Sequence, residues 1–432
     1  MTLNEALIVL ANKLKLKANE EFYDSVANIT KKLNSTYYDV DGDTKSHCLL
    51  VGSVGRKTAT KNVSDIDMIF TLPGDVYKKY DSYESNGQSA LLQEVKGIIK
   101  ERYPNTDIRG DGQVVVISFS KYIVELVPAF EQNNYSFKYP DSNQGGKWKI
   151  TNPIPEQKAC KDTGEHHSHY FDLCRLIRLW KNHEGFSFKG LLIDTLVHDY
   201  LVNKENVSNS LLDQLVGLFE YLSLQNRKQS YWYALGSNQQ ITNDDNGRFV
   251  SKAKAVVNEL RECYDDNDYH NHFYRLFGKE YPIEDEEHLK EKYQLKVNCY
   301  NDTEEFIENL VSVDIRYDLE IDCSVDINGF RQFLLSDFLK RKLGYLKIKR
   351  DLNFYIVTTN CPTPYEIWWK VKNVGPQAIA RNEIRGQILK TNEKKHYEKT
   401  KFYGPHFVEC YLIKQGVCVA RAKINVPIGN KE

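Results

Sequence analysis

The sequence predicts an α/β protein in three parts: a mixed sheet with helices, an α-helical lobe, and a small β-rich module at the C-terminal end. Three observations carry this. Strand-period segments alternate with helical ones as far as Asn152-Pro153, helical periodicity then holds through Arg261, and strand-period alternation returns from Asp314. The boundaries fall at 1–160, 161–310 and 311–432.

Each element follows from its pattern. Leu3, Leu7, Leu10, Leu14, Phe22, Val26, Ile29 and Leu33 recur at helical spacing, giving one or two amphipathic helices as a spine. His47–Val54 reads as a short apolar strand running into Gly-Ser, and Ser64–Leu72 alternates as a second strand. Leu91–Arg102 is helical; Val114–Phe119 and Ile123–Pro128 are strands joined at Ser120–Tyr122. Tyr170–His183 and Gly190–Val202 have the apolar faces of packed helices. IRYDLEIDCSV, NFYIVTT, EIWWKVKNV, HFVECYLIK and VCVARAKINV supply the closing strands.

Composition excludes several classes. With 432 residues and 41% hydrophobic content the chain can bury a large core. Its 58 basic and 59 acidic residues give a formal charge of -1, so anion binding must be local. From Asp337 to Glu432 there are 19 Lys and Arg against 8 Asp and Glu, a basic module, whereas Tyr264–His288 is acidic and reads as surface. Nine cysteines without a CxxC pair fit a reducing cytoplasm better than a disulfide framework. No segment approaches the roughly 18 apolar residues of a membrane span. His166, His167 and His169 read as part of a surface loop near Gly164, and Cys410 and Cys418 as small buried strand residues.

The informative segment is Gly52-Ser53 followed, after a polar turn, by Asp65-Ile66-Asp67. Carboxylates at i and i+2 of a strand share a face, so Asp65 and Asp67 can share divalent ions while Ile66 enters the core. Glu125, between Val124 and Leu126, offers a third carboxylate from a neighbouring strand. Three hard oxygen ligands suit two Mg2+ or Mn2+ ions roughly 4 Å apart, the arrangement that phosphoryl transfer uses. Gly52 lets backbone approach phosphate, and the Ser53 hydroxyl with the following amides can bind β- and γ-phosphates. This set predicts a nucleotidyltransferase with a core like that of DNA polymerase β.

GSVGRKTATKNVSDIDMIF, VELVPAF, LCRLIRLWKN and LLIDTLVHDYL together resemble the CD-NTases, or SMODS nucleotidyltransferases, bacterial relatives of cyclic GMP-AMP synthase and oligoadenylate synthase. Glu125 stands where such families most often carry Asp. The resemblance implies ATP and other ribonucleoside triphosphates as substrates in a cleft between core and helical lobe. It also implies a cyclic di- or trinucleotide product that triggers a neighbouring effector in antiphage defence. Transfer of one nucleotide to a protein, RNA or small molecule, or linear synthesis, would use the same carboxylates. Arg178 and Lys181 would bind the donor triphosphate or form a solvated basic face; Ser187 would contact phosphate or cap a helix. The segment from about Tyr365 resembles an AGS-C domain, proposed as a sensor. There Trp368, Trp369 and Tyr411 among basic residues would suit a nucleotide or nucleic-acid ligand, or would be core residues of alternating strands.

Overall fold

The computed structural model describes residues 1–17, 20–204, 208–282, 304–327 and 331–429. The chain divides into two compact units, Met1–Trp180 with Phe188–Pro282, and Lys181–Ser187 with Ile283–Glu432.

In the first unit the apolar spacing between Leu3 and Leu33 resolves into two helices, α1 (Leu3–Lys13) and α2 (Phe22–Tyr37). Thr2 and Glu5 start α1 with a capping box, each side chain accepting from the other's backbone amide. The chain continues through β1 (Cys48–Leu50), the one-turn α3 (Gly52–Gly55), β2 (Asp65–Thr71), α4 (Gly74–Asp81) and α5 (Gly87–Arg102). Then come β3 (Asp107–Asp111), β4 (Val114–Ser118), β5 (Ile123–Glu131), β6 (Phe137–Asp141) and β7 (Lys147–Thr151). The sheet order is β1-β2-β5-β4-β3, with β6 beside β5 and β7 beside β6. Only β2 and β5 pair in parallel. Parallel neighbours need a long crossover, and α4, α5 and the β3-β4 hairpin supply it.

Strand alternation decides which face of that pair is buried. Ile66, Met68 and Phe70 of β2 and Val124 and Leu126 of β5 pack with Ile29 and Leu33 of α2 and Leu91, Val95 and Ile99 of α5. Each such side chain contributes about 1.5–3 kcal/mol on full burial, so this apolar set fixes the register. Asp65, Asp67 and Glu125 are left to the opposite face.

The strand expected over His47–Val54 ends at Leu50, because Gly52 takes φ +60° and the chain turns into α3 there. The strands β3, β6 and β7 were not expected. DIRGD is mostly polar and FKYPD contains a proline, so neither shows the period of two that marks a strand.

The remainder of this unit is α6 (Pro153–His166), α7 (Tyr170–Glu184, its last turn falling in the second unit), α8 (Gly190–Asn203) and α9 (Leu211–Ser223). A hairpin of β8 (Tyr231–Tyr233) and β9 (Gln240–Thr242) precedes α10 (Arg248–Leu260) and α11 (Asp266–Phe277). Ser210 and Asp265 cap α9 and α11 through their side chains. Gly164 lies within α6 rather than in a loop, and His166 Nδ1 bonds the Asp162 carbonyl at 2.7 Å. Of the acidic stretch, Asp265, Asp266 and Asp268 open α11 and Glu280 pairs with Lys61 at 3.0 Å. Glu284, Asp285, Glu286 and Glu287 lie outside the described residues.

The second unit holds two antiparallel-rich sheets. Its strands are β10 (Ser312–Val313), β11 (Leu319–Asp326), β12 (Phe333–Leu334), β13 (Asp351–Thr359), β14 (Glu366–Lys372), β15 (Arg385–Thr391), β16 (Lys395–Lys399), β17 (Gly404–Lys414) and β18 (Val417–Ile428). They are ordered β10-β18-β17-β14-β15 and β12-β11-β13-β16. Trp368, Trp369 and Tyr411 are all buried, core residues rather than open stacking faces: Trp368 and Tyr411 lie in one apolar cluster, and Trp369, on the other side of β14, donates from Nε1 to the Glu393 carbonyl at 3.0 Å. Part of the basic excess is neutralised internally, since Lys370 and Lys372 pair with Glu304 and Arg421 pairs with Glu308 and Glu409. Among the described residues the cysteines are free thiols, and no helix is long and apolar enough to cross a membrane.

Candidate active site

The parallel β2-β5 register sets Asp67 opposite Glu125, with Asp65 two residues earlier on the same strand face. All three are partly accessible, while Ile66, Val124 and Leu126 beside them are buried. Backbone hydrogen bonds anchor both ends of this patch: Val51 N donates to Asp67 O at 2.9 Å, and Ile123 N to Ser64 O at 2.7 Å.

Gly52 sits directly against the patch. Its φ of +60° favours glycine, and a Cβ placed there would overlap the Asp67 carboxylate. Ser53 follows in the first turn of α3, its carbonyl accepting from Thr58 N at 2.9 Å and Ala59 N at 3.0 Å. The structure therefore brings together Gly52, Ser53, Asp65, Asp67 and Glu125. Three carboxylates beside a glycine that leaves room for one of them make an all-oxygen donor set, which fits Mg2+ or Mn2+ better than a soft ion. Among the described residues no three ligands are already drawn into a metal-holding cluster; the strand register, not side-chain contact, is what gathers them. Gly52→Ala should lower turnover at least about 100-fold, the scale for roughly 1 Å displacement of reacting groups. It should cost about 1–2 kcal/mol for the left-handed backbone; product assay and thermal melting check the two effects separately.

Arg178 occupies a different place. It is buried on α7 and donates from Nη2 to Asp194 Oδ2 at 2.9 Å and to the Gly190 carbonyl at 3.0 Å, while Nη1 lies 2.7 Å from Asp194 Oδ1. Arg56, the residue that ends α3, bonds the same Asp194 through Nε at 2.8 Å, and Thr58 Oγ1 does so at 2.9 Å. Burial opposes the charge on Asp194, but Arg178 and Arg56 outweigh it and hold the carboxyl below its ordinary range. A guanidinium so engaged would have to give up Asp194 to reach a triphosphate. Its evident effect is to tie α7 and α8 to the end of α3.

Lys181 and Ser187 belong with the second unit. Lys181 is buried and donates to Asp314 Oδ1 at 2.9 Å and to the Ile315 carbonyl at 2.7 Å. The Ser187 amide meets Asp318 Oδ1 at 3.4 Å. Ser187 does not cap α8, whose N-cap position is Lys189. Lys61, in the turn after α3, pairs with Glu280, and the Lys57 carbonyl accepts from Arg175 Nη2 at 3.0 Å. Sequence reading missed Asp194, Arg56 and Thr58. The available signal was a lone aspartate inside the apolar run LLIDTLV, since a buried carboxylate demands a cation.

Comparison with known proteins accords with this geometry. Residues 1–163 match the Second Messenger Oligonucleotide or Dinucleotide Synthetase (SMODS) domain, and residues 301–429 match the Adenylyl/Guanylyl and SMODS C-terminal sensor domain. No curated protein matches in sequence. Among solved structures, CdnC of E. coli MS115-1 in complex with HORMA-deltaN superposes with a TM-score of 0.50 at 15% identity, covering 65% of this chain and 98% of that one. The same CdnC with ATP gives 0.50 at 16%, covering 65% and 99%. CdnG of Bradyrhizobium diazoefficiens, solved with GTP, gives 0.48 at 10%, covering 64% and 96%. At these identities the two CdnC structures establish the fold, while the domain matches establish the kind of enzyme. The chain carries a SMODS nucleotidyltransferase domain over residues 1–163 and a C-terminal sensor domain over residues 301–429.

Proposed function

We propose that this chain condenses ribonucleoside triphosphates into a cyclic di- or trinucleotide second messenger, releasing pyrophosphate at each bond. The observation that carries the reading is the register that sets Asp67 opposite Glu125 with Asp65 on the same face, beside Gly52. The ATP of the CdnC structure supports nucleoside triphosphates as substrates.

In this reading Asp65, Asp67 and Glu125 hold two Mg2+ or Mn2+ ions. When bound, these ions would neutralise triphosphate charge and acidify the attacking hydroxyl. Ser53 and the first amides of α3 orient the donor phosphates, and Gly52 lets them approach the backbone. A ribose hydroxyl of the acceptor loses its proton and forms a bond to the donor α-phosphorus. The bond from that phosphorus to the β-phosphate oxygen breaks, and pyrophosphate leaves with the electron pair. A later, intramolecular round closes the ring.

Arg178 is a positioning residue here, acting through Asp194 and Arg56 on the end of α3. The product acts in the cytoplasm on a neighbouring effector in antiphage (CBASS) signalling, and the C-terminal domain senses a nucleotide or nucleic-acid cue.

The test is incubation of the full chain with ATP, GTP, CTP and UTP and Mg2+ or Mn2+, followed by phosphatase treatment and mass spectrometry. A small phosphatase-resistant cyclic species is expected. Nucleotide found only on a macromolecule, or only linear products, would overturn the reading.

A further inference from the structure

Away from the carboxylate patch, α8 and the β8-β9 hairpin line an open cavity of about 740 Å³, within the range of small-molecule sites. His198 and Asp199 of α8 face it with Gln229, Ser230, Tyr231 and Tyr233. No Lys or Arg is among its described lining residues.

His198 and Asp199 are the acceptors of a wall that also carries the neutral Gln229 amide, the Ser230, Tyr231 and Tyr233 hydroxyls and the Trp232 indole. Thr163 Oγ1 gives its single proton to the Ala159 carbonyl at 2.7 Å, so at its 2.7 Å contact with His198 Nδ1 it must accept. That fixes the neutral tautomer with Nδ1–H and leaves Nε2 as an acceptor. The Asp199 carboxylate, half-buried, has no hydrogen bond or ion pair among the described residues. Burial alone pushes its carboxyl up to about 6, and burial with His167 nearby lowers His198. Tyr231 and Tyr233 stand edge to face with centroids 5.2 Å apart, and Tyr233 is 56% exposed, so aromatic surface is open to a cation.

A carboxylate kept at a desolvation cost without a cation, inside a cavity, marks function more often than folding. We propose that this cavity binds an alkylammonium group, with Asp199 as the counter-charge, His198 Nε2 as a second acceptor and the two tyrosine rings as walls. This site is independent of the nucleotide reading, because binding is measured directly and without turnover.

The groups around Asp199 set its pH dependence. Lys204 ends α8, with its ammonium on the Tyr200 hydroxyl; Tyr221 faces from α9; Tyr231 and Tyr233 face from the hairpin; His198 is the neighbour of Asp199 on α8, and His167 ends α6. Of these groups Asp199, its carboxyl pushed up to about 6 by burial, is the one that sets the pH dependence. Lowering the pH neutralises Asp199, and this opposes cation binding.

Isothermal titration of the full chain with spermidine, putrescine and Nα-acetyl-lysine amide tests the proposal. Saturable binding to one site is expected at pH 7.5, weakened about fourfold or more at pH 5.5. Asp199→Asn should weaken it at least tenfold and Tyr233→Ala severalfold, whereas Asp75→Asn, an exposed acid elsewhere, should leave it unchanged. Tighter binding of the polyamines marks a free amine as the ligand, and equal binding of the lysine amide marks a protein side chain. Unchanged affinity in both Asp199→Asn and Tyr233→Ala, or no saturable binding of any of the three amines, overturns the proposal. Melting curves identify a variant that fails to fold, in which case the other variant decides.

Discussion

Asp65→Ala and Asp67→Ala should each reduce cyclic-product formation at least about 10³-fold, measured as pyrophosphate release and by chromatography of the products. Losing a metal ligand removes several kcal/mol of transition-state stabilisation, and each 1.36 kcal/mol is a factor of ten. Thermal melting shows whether each variant still folds, so that a lost product is read as lost catalysis. Glu125→Gln should resemble the aspartate variants. Glu125→Asp keeps the charge on an arm one methylene shorter and should retain measurable turnover. Turnover near the wild-type rate in Asp67→Ala would remove the catalytic assignment altogether.

The second large effect is on stability. Asp194 is wholly buried between Arg56 and Arg178. Asp194→Ala leaves two guanidinium groups without their counter-charge, a change that costs about 3–5 kcal/mol. Thermal melting should report a loss of roughly 10 °C. The carboxyl is held below the ordinary aspartate value of 3.8, so its stabilising contribution is complete above that pH and is lost as pH falls through the depressed value. Wild type should therefore show no loss from this group between neutral pH and about 4. A melting point in Asp194→Ala equal to wild type would mean that the two arginines find other partners.

Much of the site was legible because the physics behind it is local. Two acids at i and i+2 must share a strand face, and Ile66 between them must face the core; one apolar strand with Glu125 in it was enough to place the third. What could not be read is what depends on distant contacts. Nothing near Arg178 in sequence says that Asp194 and the end of α3 will claim its guanidinium. Lys181 likewise looked like a helix-surface cation, and it is buried against Asp314 and the Ile315 carbonyl. Trp368 and Trp369 are adjacent in a strand, so they must point to opposite sides, and whether either side is solvent depends on segments that pack there from elsewhere. The polar strand β3 and the proline-bearing β6 escaped notice because pairing, not periodicity, makes them strands.

The pairing of β2 with β5 also separates what can drift from what cannot. Everything between Thr71 and Ile123 enters the carboxylate patch only by returning β5 to its place. Loop-closure entropy grows slowly with length, by roughly 0.6 kcal/mol per doubling, so insertions in that crossover are cheap. A slip of one residue between the strands is not, because it would turn Glu125 to the apolar face and Val124 or Leu126 toward Asp67. In lineages that carry this fold, length variation should therefore collect in the crossover, while the few residues around Asp67 and Glu125 keep step with each other.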